Sequence, residues 1–280
     1  MGDGSERSLD HVGRTVRTEV ETAVSSWQVW LALTDQAHLS NWLLDSAEGE
    51  LAVGQRVRWL LSGTRIPFEF VVLKLEDERS LLVELRPTEQ LIEICVAGAS
   101  GSSLVSITHS GFSDDNDGDS AYREAIAAWQ ERINVLKLYL GRYFARPRQT
   151  IQTASITTLA EAEISRYILQ LAGHRKWLTI DGVLKPLRDT TITLWDGSKI
   201  SSRILIASND TLMFSWNEGH GYALLNCRSR RSNSSEIRML VSSWMGDREG
   251  LQAFSETLQV GLSNLLGLFG SEASSQGSTD

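Results

Sequence analysis

Apolar and polar residues alternate along Arg14–Val24 with β-branched residues among them, the pattern of a strand. At Ser25–Thr34 the period changes: Trp27, Trp30 and Leu31 fall on one helical face, with Ser25 or Ser26 as N-cap. Asp35–Leu43 reads as a second short helix carrying Leu39 and Trp42 at i, i+3. Strands follow. In Val53–Leu61 the odd positions Val53, Val57, Trp59 and Leu61 are apolar, and in Ile66–Val72 the even positions Ile66, Phe68, Phe70 and Val72 share a face. Leu81, Val83 and Leu85, then Ile92, Ile94 and Val96, then Val105, Ile107 and His109 alternate with polar or charged neighbours. Such alternation predicts an antiparallel sheet with one buried and one wetted face.

A long helix over Ser120–Phe144 closes this half. Its stripe of Tyr122, Ile126, Trp129, Ile133, Leu136 and Leu140 steps by four and three residues, so it occupies one face and should lie across the buried side of the sheet. The predicted class is α+β, helix packed on sheet.

The same plan recurs. Trp42, Val57, Trp59 and Gly111 are echoed by Trp177, Ile192, Leu194 and Gly246, each 135 residues on. In the closing helix, Ile126, Trp129, Ile133 and Leu140 are echoed by Leu251, Phe254, Leu258 and Leu265, each 125 residues on. The difference of ten falls in the acidic loop Ser113–Ser120. Repetition at this length means two whole domains, since solenoid repeats are shorter. Pro147 marks the junction. The expected organisation is a disordered N-terminus 1–13, a first domain 14–146, a divergent second domain 147–270 and a disordered tail 271–280. In the second domain, Thr150–Ile156 opens as a strand, and Leu159–Leu171 and Gly173–Leu178 are the expected short helices. Strands are expected near Thr190–Trp195, Lys199–Ala207, Thr211–Trp216, Tyr222–Arg228 and Glu236–Trp244, with Asp196-Gly197 as a hairpin turn. Asp247 is a candidate cap for a last helix, Arg248–Phe269.

Composition narrows the function classes. The 280 residues carry a net charge of −8 at pH 7, and no basic run is sustained; Arg228, Arg230 and Arg231 form the one cluster. Nucleic acid is therefore not the expected partner. Cys95 and Cys227 fall in different domains, so no disulfide within a domain is expected, which fits a reducing compartment. Met1–Gly13 lacks the apolar core of a secretory signal, and no apolar run approaches a membrane span. A cytoplasmic location is the expectation.

Five features in order resemble a known family. They are Val29-Trp30-Leu31-Ala32-Leu33-Thr34-Asp35, then Trp42, then Leu51-Ala52-Val53-Gly54, then Ile107-Thr108-His109-Ser110-Gly111-Phe112, then Trp129. Together they are similar to the START-like (SRPBCC) superfamily, and within it to the domain of heat-shock chaperone ATPase activators, over about residues 14–144. The resemblance implies a tandem pair of helix-grip domains, each a curved antiparallel sheet wrapped on a long C-terminal helix. The second copy departs from the pattern: Trp244 stands where His109 stands, and Asp247 replaces Phe112. Its strand Glu236–Trp244 has two readings. Either Ile237, Met239 and Val241 face inward, or Leu240 and Trp244 do.

The candidate ligand-binding residues are Trp59, Phe68, Phe70, Ile107, His109, Trp129 and Ile133. The aromatic ones could line a cavity between sheet and helix or simply fill a core, because both give the same alternation. His109 could be a polar anchor on an apolar wall. It could instead bond a backbone carbonyl or Ser110 and secure the turn into Gly111, and this structural role carries more weight. Asp115-Asn116-Asp117-Gly118-Asp119 has some calcium-loop flavour but lacks the full ligand spacing and terminal Glu, so a solvated loop is favoured. The histidines have no metal-ligand spacing, and nucleophile elbow, P-loop and dinucleotide fingerprint are all missing from the chain. No cofactor, metal or catalytic residue is expected.

The leading expectation is non-enzymatic binding of a hydrophobic small molecule in the first domain. A protein-interaction module is the alternative, with a chaperone as the partner implied by the resemblance. A cavity-based cyclase- or hydratase-like enzyme ranks last.

Overall fold

The computed structural model describes residues 14–64, 66–99, 101–164, 177–180, 185–208, 210–230 and 234–276. It divides into two units, Met1–Ala145 and Arg146–Asp280. The disorder expected for 1–13 lies outside the described residues, as do 277–280 and most of the two short helices expected in the second copy.

In the first unit, β1 (Arg14–Thr22) leads into α1 (Ser26–Thr34) and α2 (Gln36–Ser40). Ser25 starts α1 by a reciprocal capping box: its Oγ accepts from the Gln28 amide at 3.3 Å, and Gln28 Oε1 accepts from the Ser25 amide at 3.4 Å. Asp35 ends α1 and caps α2, accepting from the His38 amide at 3.0 Å. The Trp42 indole donates to the Ala32 carbonyl at 2.8 Å, which ties the end of α2 to α1. The buried face of α1 is Val29, Trp30, Ala32 and Leu33, whereas Trp27 is 54% exposed. This corrects the expected face of Trp27, Trp30 and Leu31. A nine-residue helix that is apolar nearly all round offers no period from which to choose.

Six more strands complete the sheet: β2 (Leu44–Glu48), β3 (Arg56–Leu61), β4 (Phe68–Glu76), β5 (Ser80–Arg86), β6 (Leu91–Ala99) and β7 (Ser102–Phe112). Their order is β1-β7-β6-β5-β4-β3-β2, antiparallel throughout. The edge strand β2 was not expected; its Leu-Asp-Ser-Ala-Glu sequence is too polar to announce itself. Val53 and Ile66 are 60% and 80% exposed, so both leave the inner face assigned to them. Each belongs to a connection rather than a strand: Val53 precedes the turn at Gly54 (φ +82), and Ile66 lies in the β3–β4 loop.

The closing helix α3 (Asn116–Leu138) begins inside the acidic segment, earlier than the expected Ser120, and passes into a π-helical turn at Tyr139–Tyr143. Asp115 is its N-cap, accepting from the Gly118 amide at 2.7 Å. Asp117 and Asp119 sit in the first turn, where the helix dipole favours negative charge, and Asp119 pairs with Arg14. A side chain at position 118 would overlap the Ser113 carbonyl, which explains the glycine. The segment read as a solvated loop is thus a helix start. Asp115→Ala should cost about 1 kcal/mol in urea unfolding. A loss below roughly 0.3 kcal/mol would return the segment to a solvated loop.

Helix α3 lies against β1 and β7. Trp129, Ile133, Leu136 and Leu140 of its stripe are buried, while Tyr122 and Ile126 are partly so. The Tyr139 hydroxyl is 2.7 Å from His38 Nδ1 and accepts from the Ala145 amide at 3.1 Å, which anchors the π turn to α2.

The second unit repeats this topology. Its strands are β8 (Gln149–Thr157), β9 (Leu178–Ile180), β10 (Asp189–Leu194), β11 (Lys199–Ala207), β12 (Thr211–Trp216), β13 (Gly221–Arg230) and β14 (Ser234–Ser243), ordered β8-β14-β13-β12-β11-β10-β9. Strand for strand, this is the order of the first sheet. A short α4 (Glu161–Ile164) precedes β9, and α5 (Arg248–Gln276) closes the unit. Asp247 caps α5, accepting from the Gly250 amide at 2.6 Å. Two expectations change. Leu178 opens a strand rather than ending a helix, and α5 continues to Gln276, into the tail expected to be disordered from Ser271. In β14, Ile237, Met239 and Val241 join the core cluster with Leu251, Phe254 and Leu258 of α5. Leu240 and Trp244 are also buried but stand outside that cluster, so the odd-numbered reading is the one the structure adopts.

Each unit is therefore α+β: a seven-stranded antiparallel sheet gripping a long C-terminal helix.

Candidate functional site

Between the sheet of the first unit and α3 is a cavity of about 60 Å³. The alternation of β3–β7 makes its floor. Trp59 and Phe68 are cross-strand partners on β3 and β4, and Phe70 stands next to Trp59 with ring centroids 4.8 Å apart at 82°. Such edge-to-face rings form a rigid apolar wall. Ile107 on β7 pairs with Ile94 on β6, and both line the space. From α3 come Trp129 and, at i+3 and i+4 from it, Arg132 and Ile133. Leu39 and Trp42 close the side nearest the short helices.

Of the sequence-predicted residues, Trp59, Phe68, Phe70, Ile107, Trp129 and Ile133 stand on this wall. His109 does not. It is 6% exposed and lies behind Trp129, whose indole N–H donates to His109 Nδ1 at 3.3 Å. His109 Nε2 is 3.1 Å from Gln90 Oε1. Burial pushes the His109 pKa down to about 4, and the positive charge of Arg132 adds to the effect, so the ring is neutral near neutral pH. An indole can only donate, so Nδ1 is the acceptor and Nε2–H donates to Gln90. The partners expected for His109, a backbone carbonyl or Ser110, are replaced by two side chains. The imidazole positions Trp129 rather than facing the cavity.

Arg132 is the residue that sequence reasoning missed. It flanks the stripe at i+3 from Trp129, a place where a charge reads as the solvated edge of an amphipathic helix. Its guanidinium carbon is 5.1 Å from the centroid of the Trp129 ring, a cation–π contact. Burial lowers its pKa, and the neighbouring Glu131 carboxylate raises it. Among the described residues it has no ion-pair or hydrogen-bond partner.

Among the described residues, no three His, Cys, Asp or Glu side chains cluster so as to hold a metal ion. Cys95 and Cys227 are free thiols. No described helix is long and apolar enough to cross a membrane.

In the second unit, Phe254 occupies the place equivalent to Trp129 and stacks on Trp216, centroids 4.0 Å apart at 19°. Trp244 lies 5.7 Å from Tyr222. The stacked pair joins the closing helix to β12, whereas Trp129 of the first unit is bonded to His109 on β7.

In each unit a seven-stranded antiparallel sheet and a long closing helix make a helix-grip fold. Residues 23–141, within the first unit, match the family described as Activator of Hsp90 ATPase homolog 1-like protein. No curated protein matches the chain. Among solved structures, the Aha1 dimer from Colwellia psychrerythraea is 18% identical, with 46% of this chain and 97% of that one covered at a TM-score of 0.41. DynU16, from the dynemicin biosynthetic locus, is 15% identical over 91% of this chain and 97% of its own, TM-score 0.42. The di-domain ARO/CYC BexL, from the BE-7585A biosynthetic pathway, is 11% identical over 91% and 96%, TM-score 0.41.

Proposed function

We propose that the first unit binds a hydrophobic small molecule, without chemical turnover, in the cavity between its sheet and α3. The observation that carries this reading is the cavity itself, walled by Trp59, Phe68, Phe70, Ile107, Trp129 and Ile133. A void bounded by rings on two strands and one helix gains from any apolar occupant, at roughly 25 cal/mol per Å² of surface removed from water. The size of the space suits a compact molecule, and a larger one must displace lining side chains. His109 contributes indirectly, by holding the Trp129 ring at a fixed angle.

The test is native mass spectrometry of the purified full chain, followed by denaturation and identification of whatever is released. It is paired with titration of a neutral fluorescent naphthylphenylamine. Val83 also lines the space and is buried. Val83→Phe should fill the cavity and weaken probe binding by about tenfold or more, at a stability cost of roughly 1–3 kcal/mol. Undiminished binding by this variant would move the site elsewhere and sink the reading.

A further inference from the structure

The cavity wall is apolar except at one point. Arg132 shares the inner face of α3 with Trp129 and Ile133, and its guanidinium is held against the Trp129 ring. The residue is half-buried, so an acceptor that reaches the guanidinium from the cavity has only partial competition from water. Its charge is partly compensated within the protein. Trp129 offers the face of its ring, and Glu131 acts from the adjacent position without a hydrogen bond to the guanidinium. Among the described residues, Arg132 appears in none of the ion pairs, whereas Arg14, Arg58, Arg86 and Arg203 each pair with a carboxylate. Those four are on strands and face outward or sit at a sheet edge. Arg132 is the charged residue that lines the cavity.

Guanidinium geometry narrows what completes the pair. Its planar fork offers parallel N–H donors that match the two oxygens of a carboxylate, and contact of one face with an aromatic ring leaves the donor edge available. The surrounding wall of Trp59, Phe70 and Ile107 has no second cation that would call for a dianion.

Resting on the cavity-binding reading above, the geometry points to a ligand class: a compact aromatic or aliphatic carboxylic acid. Its apolar body lies among the rings of β3, β4 and α3, and its carboxylate accepts from Arg132. The protein thereby discriminates acids from neutral molecules of the same shape. Arg132 is the specificity-determining residue, and the apolar wall supplies the bulk of the affinity.

The experiment uses the full chain and a matched pair, phenylpropanoate and phenylpropanol, each competing against the neutral naphthylphenylamine probe. The acid should bind at least about tenfold more tightly than the alcohol, the margin of one charge-assisted hydrogen-bonded pair. In Arg132→Gln this margin should collapse to within about twofold, with hydrogen exchange of the β7 amides showing the fold intact. Arg132→Lys keeps the charge without the planar fork and should retain a preference of the same sign but smaller size. Equal binding of acid and alcohol by the unaltered chain overturns the acid class and leaves cavity binding standing. So does an acid preference that survives in Arg132→Gln. Failure of probe, acid and alcohol alike overturns the cavity reading, and the ligand class with it.

Discussion

Trp129→Ala is expected to destabilise the first unit by about 3–5 kcal/mol, the largest effect of any single substitution considered. The ring is 8% exposed, and two independent contributions are lost with it. The first is apolar burial against the sheet, with a void left where the indole stood. The second is a hydrogen bond: His109 Nδ1, buried, loses its only donor, the indole N–H at 3.3 Å. Trp129→Phe separates the two. It keeps most of the ring volume and deletes the donor, so its cost should be about 1–2 kcal/mol. A chain of two units need not unfold in one step, so hydrogen exchange of the β7 amides is the appropriate readout for the first unit. A change below about 1 kcal/mol for Trp129→Ala would place the ring outside the core and contradict the packing of α3.

Acid should weaken the first unit through His109. Its pKa in the folded protein is about 4, below the ordinary 6.5, because burial disfavours the charged ring and Arg132 repels it. The unfolded chain therefore takes up the proton first, and stability rises with pH wherever the unfolded state holds more protons. The contribution is fully present above pH 6.5, falls as pH drops from 6.5 towards about 4, and is gone below that. Its size is about 3 kcal/mol. Urea titrations across this window should show the loss. His109→Gln can still accept from Trp129 but does not titrate, so the slope contributed by this site should vanish. A slope unchanged in that variant would assign the acid sensitivity to other groups.

The residues that were legible are those whose neighbours share their strand or helix. Val105, Ile107 and His109 alternate on β7, and all three are buried as their parity requires. Trp129 and Ile133 follow the helical period and reach the same wall. The repeat was legible for the same reason: Trp177 and Leu258 stand 135 and 125 residues after Trp42 and Ile133 because two sheets of one order need like residues at like places.

What escaped sequence reasoning has local causes. Asp115 and its neighbours use the same residue types for a helix cap as for a solvated loop, and only the hydrogen bond from Gly118 tells them apart. Val53 and Ile66 continue an apolar alternation past the last paired residue, where no strand partner holds them inward. Arg132 flanks a stripe, and periodicity assigns such a charge to solvent.

The sequence by itself determined the tandem organisation, the α+β class, the inner faces of β3–β7 and the stripe of α3, because each depends on contacts that recur at the period of its own element. Tertiary structure alone decided whether those inner faces meet. Alternation records which side of a strand points inward, not how far away the facing helix lies. That distance leaves a space beside Trp59 and Trp129 in the first unit. It also sets an arginine beside that space and a histidine behind it, placements made by residues far apart in the chain.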